Sequence, residues 1–172
     1  MSSWPRGRSA DGGIDEIPLP SGGRLWLCGK HVVGPDPEAA LTRVGADAVL
    51  CLNERHEIED RYPHYVEWLE ASDQGRHWFP TPDLGVRATA EFVALVAERA
   101  AALATGERLI AHCGAGIGRA GTFAIAVLLA QGHELDAAMA DVAHHRPMAG
   151  PEAGSQQQLV ADAAAHFATG TR

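Results

Sequence analysis

Leu109-Ile110-Ala111-His112-Cys113-Gly114-Ala115-Gly116-Ile117-Gly118-Arg119-Ala120-Gly121-Thr122 decides how this chain is read. A short apolar run, the mark of a buried strand, gives way to a loop with glycine at every second position. Apolar text of helical length follows. Gly114, Gly116 and Gly118 open backbone conformations closed to other residues. Successive amides can then turn inward as an anion-binding nest, and the helix behind them adds its positive N-terminal end. Cys113 opens this cradle and Arg119 closes it. Such a field draws a cysteine pKa from about 8.5 toward roughly 3.5–7.5. A guanidinium presents a planar donor fork that matches two phosphate oxygens. The loop Gly114, Ala115, Gly116, Ile117, Gly118 and Arg119 therefore holds an oxyanion, and Cys113 supplies a sulfur to attack phosphorus.

The same residues have competing readings. A cysteine after a buried strand is ordinarily a small core residue, and only the glycine loop with Arg119 weighs against that here. Gly116-x-Gly118-x-x-Gly121 spells the dinucleotide fingerprint of an oxidoreductase. Yet only helical text follows for the next thirty residues, with no second strand carrying a ribose-binding acid. The Walker A pattern fails, because no Lys-Ser or Lys-Thr follows the glycines. His112, His144 and His145, with Cys28 and Cys51, show no ligand spacing, so neither a metal nor a cofactor is expected.

Working outward, Leu25-Trp26-Leu27-Cys28 and Ala48-Val49-Leu50-Cys51-Leu52 read as buried strands, and His77-Trp78-Phe79 as another, ended by Pro80. Ile17-Pro18-Leu19 reads as a strand before the turn Ser21-Gly22-Gly23, and its prolines confine it to an edge. Pro35-Asp36-Pro37 opens a predicted short helix through Val44, and helices are predicted over 62–71 with Tyr65, Trp68 and Leu69 inward, and over 88–104 with Phe92, Leu95, Val96, Arg99 and Leu103 on one face. Three more follow, from Arg119 to Gln131 in a central position, over 134–145 and over 155–168. Strands alternating with helices predict a single α/β domain over 14–172. Its sheet is mostly parallel, of four or five strands, with helices on both faces. Residues 1–13, rich in Ser, Gly and Arg, read as a loose tail.

Composition bounds the function. A chain of 172 residues with 46 % apolar content can bury one core. A formal net charge of −8 makes it a poor non-specific nucleic-acid binder. No run approaches the roughly 20 apolar residues that span a bilayer. Met1-Ser2-Ser3-Trp4-Pro5-Arg6 lacks the apolar region of a signal peptide. Three scattered cysteines make no disulfide framework, so a cytoplasmic protein with reduced thiols is expected.

His112-Cys113-x5-Arg119 resembles the H-C-x5-R signature of cysteine-based protein tyrosine phosphatases, and the compact length resembles the dual-specificity branch. The likeness runs from about Leu25 to Phe167. Relatives with the cysteine loop near the N-terminus do not fit, and a rhodanese-like domain is disfavoured by a second motif, Trp78-Phe79-Pro80-Thr81-Pro82-Asp83-Leu84-Gly85. The family places a general-acid aspartate on a loop about thirty residues before the cysteine. Asp83 lies 30 before Cys113. Read alone, an aspartate after proline is a turn residue; the resemblance implies the proton donor to the leaving group.

The resemblance implies further roles. Arg146-Pro147, with Glu152 and the run Ser155-Gln156-Gln157-Gln158, matches a segment whose glutamine helps place the hydrolytic water. Spacing favours Gln156, with Gln157 as the alternative. Asn53-Glu54-Arg55 matches a polar loop flanking the pocket, with Glu54 placed to contact substrate or water. His112 supports the cradle. The expected substrate is a phosphorylated protein or small phosphomonoester, with inorganic phosphate or another oxyanion in the loop. Because the cradle lacks lysine, phosphoinositides are less expected. One departure stands out: Ala120 occupies the place of the hydroxyl residue that usually follows the arginine and stabilises the departing sulfur. Thr122 lies about 200° further round the helix. A phosphate-capturing pseudophosphatase is the rival that Ala120 supports.

Overall fold

The computed structural model describes residues 13–20, 22–71 and 73–170. Apart from Gly13, the tail expected at 1–13 lies outside the described residues, as does Ser21 of the predicted turn. Five strands form one sheet: β1 (Asp15–Ile17), β2 (Arg24–Gly29), β3 (Ala48–Cys51), β4 (Arg76–Trp78) and β5 (Arg108–Cys113). Their order is β1-β2-β5-β3-β4. Only the β1–β2 pairing is antiparallel, so the expected mostly parallel sheet is found, with the strand that carries Cys113 at its centre.

Strand alternation divides the core in two. Leu25, Leu27, Ala48, Leu50, Leu109 and Ala111 face one layer. It is covered by helices α4 (Thr89–Ala104), α5 (Gly118–Ala130), α6 (Leu135–His145) and α7 (Gly154–Thr169). Trp26, Cys28, Val49, Cys51 and Ile110 face the other, beneath α1 (Lys30–Val33), α2 (Pro37–Val44) and α3 (Pro63–Glu70). Both faces are covered, which accounts for strands that read as unbroken apolar runs. Helix α5 is buried from Gly118 to Leu129, the central position its apolar text predicts.

Local chemistry sets the ends of the elements. Asp36 caps α2 by accepting from the Ala39 N–H at 3.0 Å, and Gly45 ends it with a φ of 72°. Strand β1 sits at the edge as expected, but on Asp15-Glu16-Ile17 rather than Ile17-Pro18-Leu19. Pro18 has no N–H to give the ladder, so pairing stops before it. Helix α1 was not predicted, because four residues carry no period. Arg99, read as part of an apolar face, is buried by donating to Glu107 at 2.6 Å and contacting His77 at 3.0 Å.

Candidate active site

The C-terminal ends of β2, β3 and β5 open on one side, where crevices form in parallel sheets. A cleft of about 530 Å³ lies there, lined by Lys30, Glu57, Asp83, Leu84, Cys113, Gly114, Ala115, Gly118, Arg119 and Glu152. Cys113 ends the central strand and is 3 % exposed.

The cradle is held from behind by Arg146, which is buried. Its Nε donates to the Gly116 carbonyl at 2.7 Å and its Nη2 to the Ala115 carbonyl at 2.9 Å. Its Nη1 donates to Asp15 at 2.7 Å and to the Gly13 carbonyl at 3.0 Å. The Lys30 N–H donates to the Gly114 carbonyl at 3.2 Å. In a trans peptide the carbonyl and the next N–H point opposite ways. Holding these carbonyls outward turns the amides of Ala115, Gly116 and Ile117 inward, the nest that the glycines predict. Gly116 is required twice over: its φ is 72°, and a Cβ there would lie 2.4 Å from the Cys28 carbonyl oxygen.

Arg119 is also buried, and it faces the cleft. Nη1 donates to Glu57 Oε2 at 2.7 Å and to the Thr81 carbonyl at 2.8 Å; Nη2 donates to Glu57 Oε1 at 2.8 Å and to Asp83 Oδ1 at 3.3 Å. Burial works to raise the Glu57 carboxyl. Hydrogen bonds from Arg119 and the Glu54 N–H outweigh that and bring it down to about 2. Asp83 stands at the rim with its side chain 71 % exposed.

Several predicted residues sit differently from their expected roles. The polar loop after β3 sends Glu57 into the cleft, and Glu54 is absent from the lining. Residues 55–57 form a single 3-10 turn that Glu54 caps, and the Glu54 carboxylate pairs with His56 at 2.9 Å. His112 points to the other face of the sheet, where its Nε2 meets the Tyr65 hydroxyl at 2.6 Å. Burial lowers its pKa to about 4, so it is neutral near pH 7 and offers the sulfur no positive charge. Burial pushes the thiols of Cys28 and Cys51 up to about 12, which keeps both protonated.

Gln156 is buried and Gln157 exposed, so the first of the two faces inward. Its Oε1 accepts from the Glu152 N–H at 2.8 Å and its Nε2 donates to the Gly85 carbonyl at 3.3 Å. With Arg119, Thr122 and Gly85 it lines a cavity of about 20 Å³ beside the main cleft. Ala120 is fully buried. Thr122 is absent from the main cleft, and its hydroxyl has no partner among the described residues. Reading the sequence missed Glu57 and Lys30. The spacing Glu54-x-x-Glu57 is a capping-box signal that could have flagged the first. No local signal marks Lys30, which arrives because β2 pairs with β5 and sets Gly29 beside Cys113.

Among the described residues no strand follows β5, which removes the second strand that a dinucleotide fold needs. A cysteine at the end of the central strand, an amide cradle and an arginine at the start of α5 define the class of cysteine-loop phosphatases. The chain belongs to the PTP-SAK family (Swiss Army Knife protein, DSP-PTPase phosphatase domain), which it matches over residues 27–168. Solved structures share the fold. Kinase associated phosphatase (KAP), with serine replacing its catalytic cysteine, aligns with a TM-score of 0.75 and 20% identity over 90% of this chain and 95% of that one. PTPMT1 aligns with a TM-score of 0.71 and 18% identity, over 91% and 96%. Tk-PTP in its active form gives 0.65 and 19%, over 88% and 97%. No curated protein sequence matches.

Proposed function

We propose that the protein is a phosphomonoesterase acting on phosphotyrosine, and on phosphoserine or phosphothreonine, through a phosphocysteine intermediate. The carrying observation is the placement of Cys113, Gly114, Ala115, Gly118, Arg119 and Asp83 around one cleft. In the first step the Cys113 sulfur forms a bond to phosphorus as the bond to the leaving oxygen breaks, and Asp83 gives that oxygen its proton. The inward amides and Arg119 stabilise the charge on the equatorial oxygens. In the second step water attacks phosphorus and gives a proton back to the Asp83 carboxylate as the phosphorus–sulfur bond breaks; sulfur departs as thiolate and inorganic phosphate leaves. Gln156, next to Arg119 and the Asp83 loop, is the side chain assigned to that water. A structure of PTPMT1 in complex with PI(5)P exists. The neutral cradle here favours a singly phosphorylated side chain over such a ligand.

Hydrolysis of an aryl phosphate tests this reading. Turnover is expected to survive EDTA, to be blocked by vanadate, and to fall to background in Cys113→Ser, since a hydroxyl does not ionise in this field. Substantial turnover in that variant would remove Cys113 from the mechanism. Vanadate binding without turnover in wild type would instead make the chain a phosphate-capturing protein.

A further inference from the structure

Two basic and three carboxyl side chains line the cleft over Cys113: Lys30 and Arg119 against Glu57, Asp83 and Glu152. Four of them have partners. Arg119 and Glu57 hold each other through both branches of the fork, Lys30 Nζ donates to the Glu57 carbonyl at 2.9 Å, and Asp83 approaches Arg119 at 3.3 Å. The Glu152 carboxylate has no ion-pair or hydrogen-bond partner among the described residues. It lies against the last residue of the loop: a Cβ on Gly118 would lie 2.3 Å from Glu152 Oε1, and both residues line the cleft. Its backbone is fixed there by Pro151 before it and by Gln156 Oε1, which accepts from its N–H at 2.8 Å.

A dianionic phosphoryl group entering the cradle shares one cleft with this carboxylate. No basic residue within Gly114–Gly118 offsets it. Like charges repel, and the most direct relief is a positive charge carried by the substrate. Extra anions beside the phosphate make the repulsion worse, so Glu152 attracts one substrate class and rejects another.

We infer that Glu152 selects phosphorylated side chains flanked by lysine or arginine, its carboxylate pairing with the flanking cation while the phosphate occupies the cradle. This rests on the phosphatase reading above. The selection acts through charge complementarity at the cleft mouth, so it belongs mainly to KM and weakens as salt screens it.

Two phosphotyrosine peptides, identical except for Arg or Glu on both sides of the phosphotyrosine, test it, with an uncharged aryl phosphate run in parallel. Wild type is expected to favour the Arg peptide by roughly three- to ten-fold in kcat/KM, mostly through KM, at low ionic strength. Glu152→Gln is expected to bring that ratio toward one, and Glu152→Lys to reverse it. The inference is overturned if the aryl phosphate is hydrolysed but wild type shows no preference. It is equally overturned if both variants keep the wild-type ratio. Absence of aryl phosphate hydrolysis in wild type would instead sink the phosphatase reading, and this inference with it.

Discussion

The two loops that meet over Cys113 are built in opposite ways. The cradle from Cys113 to Gly118 has its outward carbonyls bound by a buried arginine and by the Lys30 amide, and its Ile117 carbonyl accepts from the Gly150 N–H at 3.0 Å. The loop that carries Asp83 is tied mainly at its ends. The Thr81 N–H donates to the Leu52 carbonyl at 3.1 Å and the Gly85 N–H to the Pro82 carbonyl at 3.0 Å. Between them Asp83 and Leu84 are exposed, Leu84 with a φ of 56°. The difference follows from the work assigned to each. A cradle that stabilises charge must be set before the charge develops, since reorganising dipoles during the reaction would consume the gain. A proton donor needs only to reach the leaving oxygen, and an exposed loop can adjust to leaving groups of different size.

The largest expected effect separates the loops by function. Asp83→Asn is expected to slow hydrolysis of a substrate with a poor leaving group by roughly 10²–10⁴-fold. An activated aryl phosphate should be affected far less, because its leaving group departs unprotonated. Because the proposed mechanism needs a proton donor on one loop and a thiolate on the other, wild type is expected to show a bell-shaped pH profile, and the variant to lose the basic limb. A variant profile identical to wild type would move the acid to another residue. Thermal stability should hardly change, since this side chain is exposed.

Arg146→Met tests the cradle from behind. It breaks a buried ion pair with Asp15 and frees the carbonyls of Ala115 and Gly116. Losing one partner of a buried pair costs about 3–5 kcal/mol, and a loosened nest stabilises charge less well. Stability in urea and turnover should fall together. Arg146→Lys keeps the charge for Asp15 but cannot fork to two carbonyls, so it should recover more stability than activity. Full activity in Arg146→Lys would mean that the cradle holds its shape unaided.

The face behind the cradle sets the response to acid. His112 titrates at about 4 in the fold against about 6.5 unfolded. Between those values the unfolded chain binds the extra proton, so stability drops as pH falls from 6.5 to 4. For a group this buried the loss is about 3 kcal/mol. Glu57, held at about 2, continues the trend: its stabilisation is present above about 4.5 and is lost as pH falls toward 2. Urea midpoints at pH 7, 5.5 and 4.5 measure the slope. A flat profile would show that His112 is not the neutral, buried group its surroundings dictate.

The same contrast governs what could be read from sequence. The cradle is legible because its chemistry is local: Cys113, the glycines and Arg119 have fixed spacing in one strand-loop-helix. Asp83 is legible through spacing to the cysteine, once a likeness supplies the rule. Glu57 is marked only by its spacing to Glu54, and Lys30 by nothing local, because parallel pairing of β3 and β2 with β5 brings them in. The phase of a single 3-10 turn decides between Glu54 and Glu57. Likewise one residue of helix, a rotation of about 100°, decides between Gln156 and Gln157. The place of β1 depended on one missing donor at Pro18.

The smallest effect concerns one hydroxyl. In the proposed mechanism, transfer of phosphate to Cys113 uses the cradle, Arg119 and Asp83. Release makes sulfur the leaving group, and Ala120, fully buried at the third residue of α5, offers it no hydrogen bond. Thr122 does not line the cleft, so it does not replace the missing group. A hydrogen bond to a charged atom contributes about 1.5–3 kcal/mol, or roughly ten- to a hundred-fold in rate. Hydrolysis of the phosphoenzyme is therefore expected to limit turnover of activated aryl phosphates. Rapid mixing should show a burst of phenol near one equivalent per site, then a slower steady state. Ala120→Ser is expected to raise the steady rate and leave the burst rate nearly unchanged. Serine adds one oxygen at a tightly packed position, so urea stability must be measured on the same preparation. A faster steady rate at equal or lower stability would assign the effect to chemistry. If wild type shows no burst and the serine variant is no faster, sulfur departs without that hydrogen bond. The second step would then depend on Gln156, and Gln156→Ala would become the slow variant.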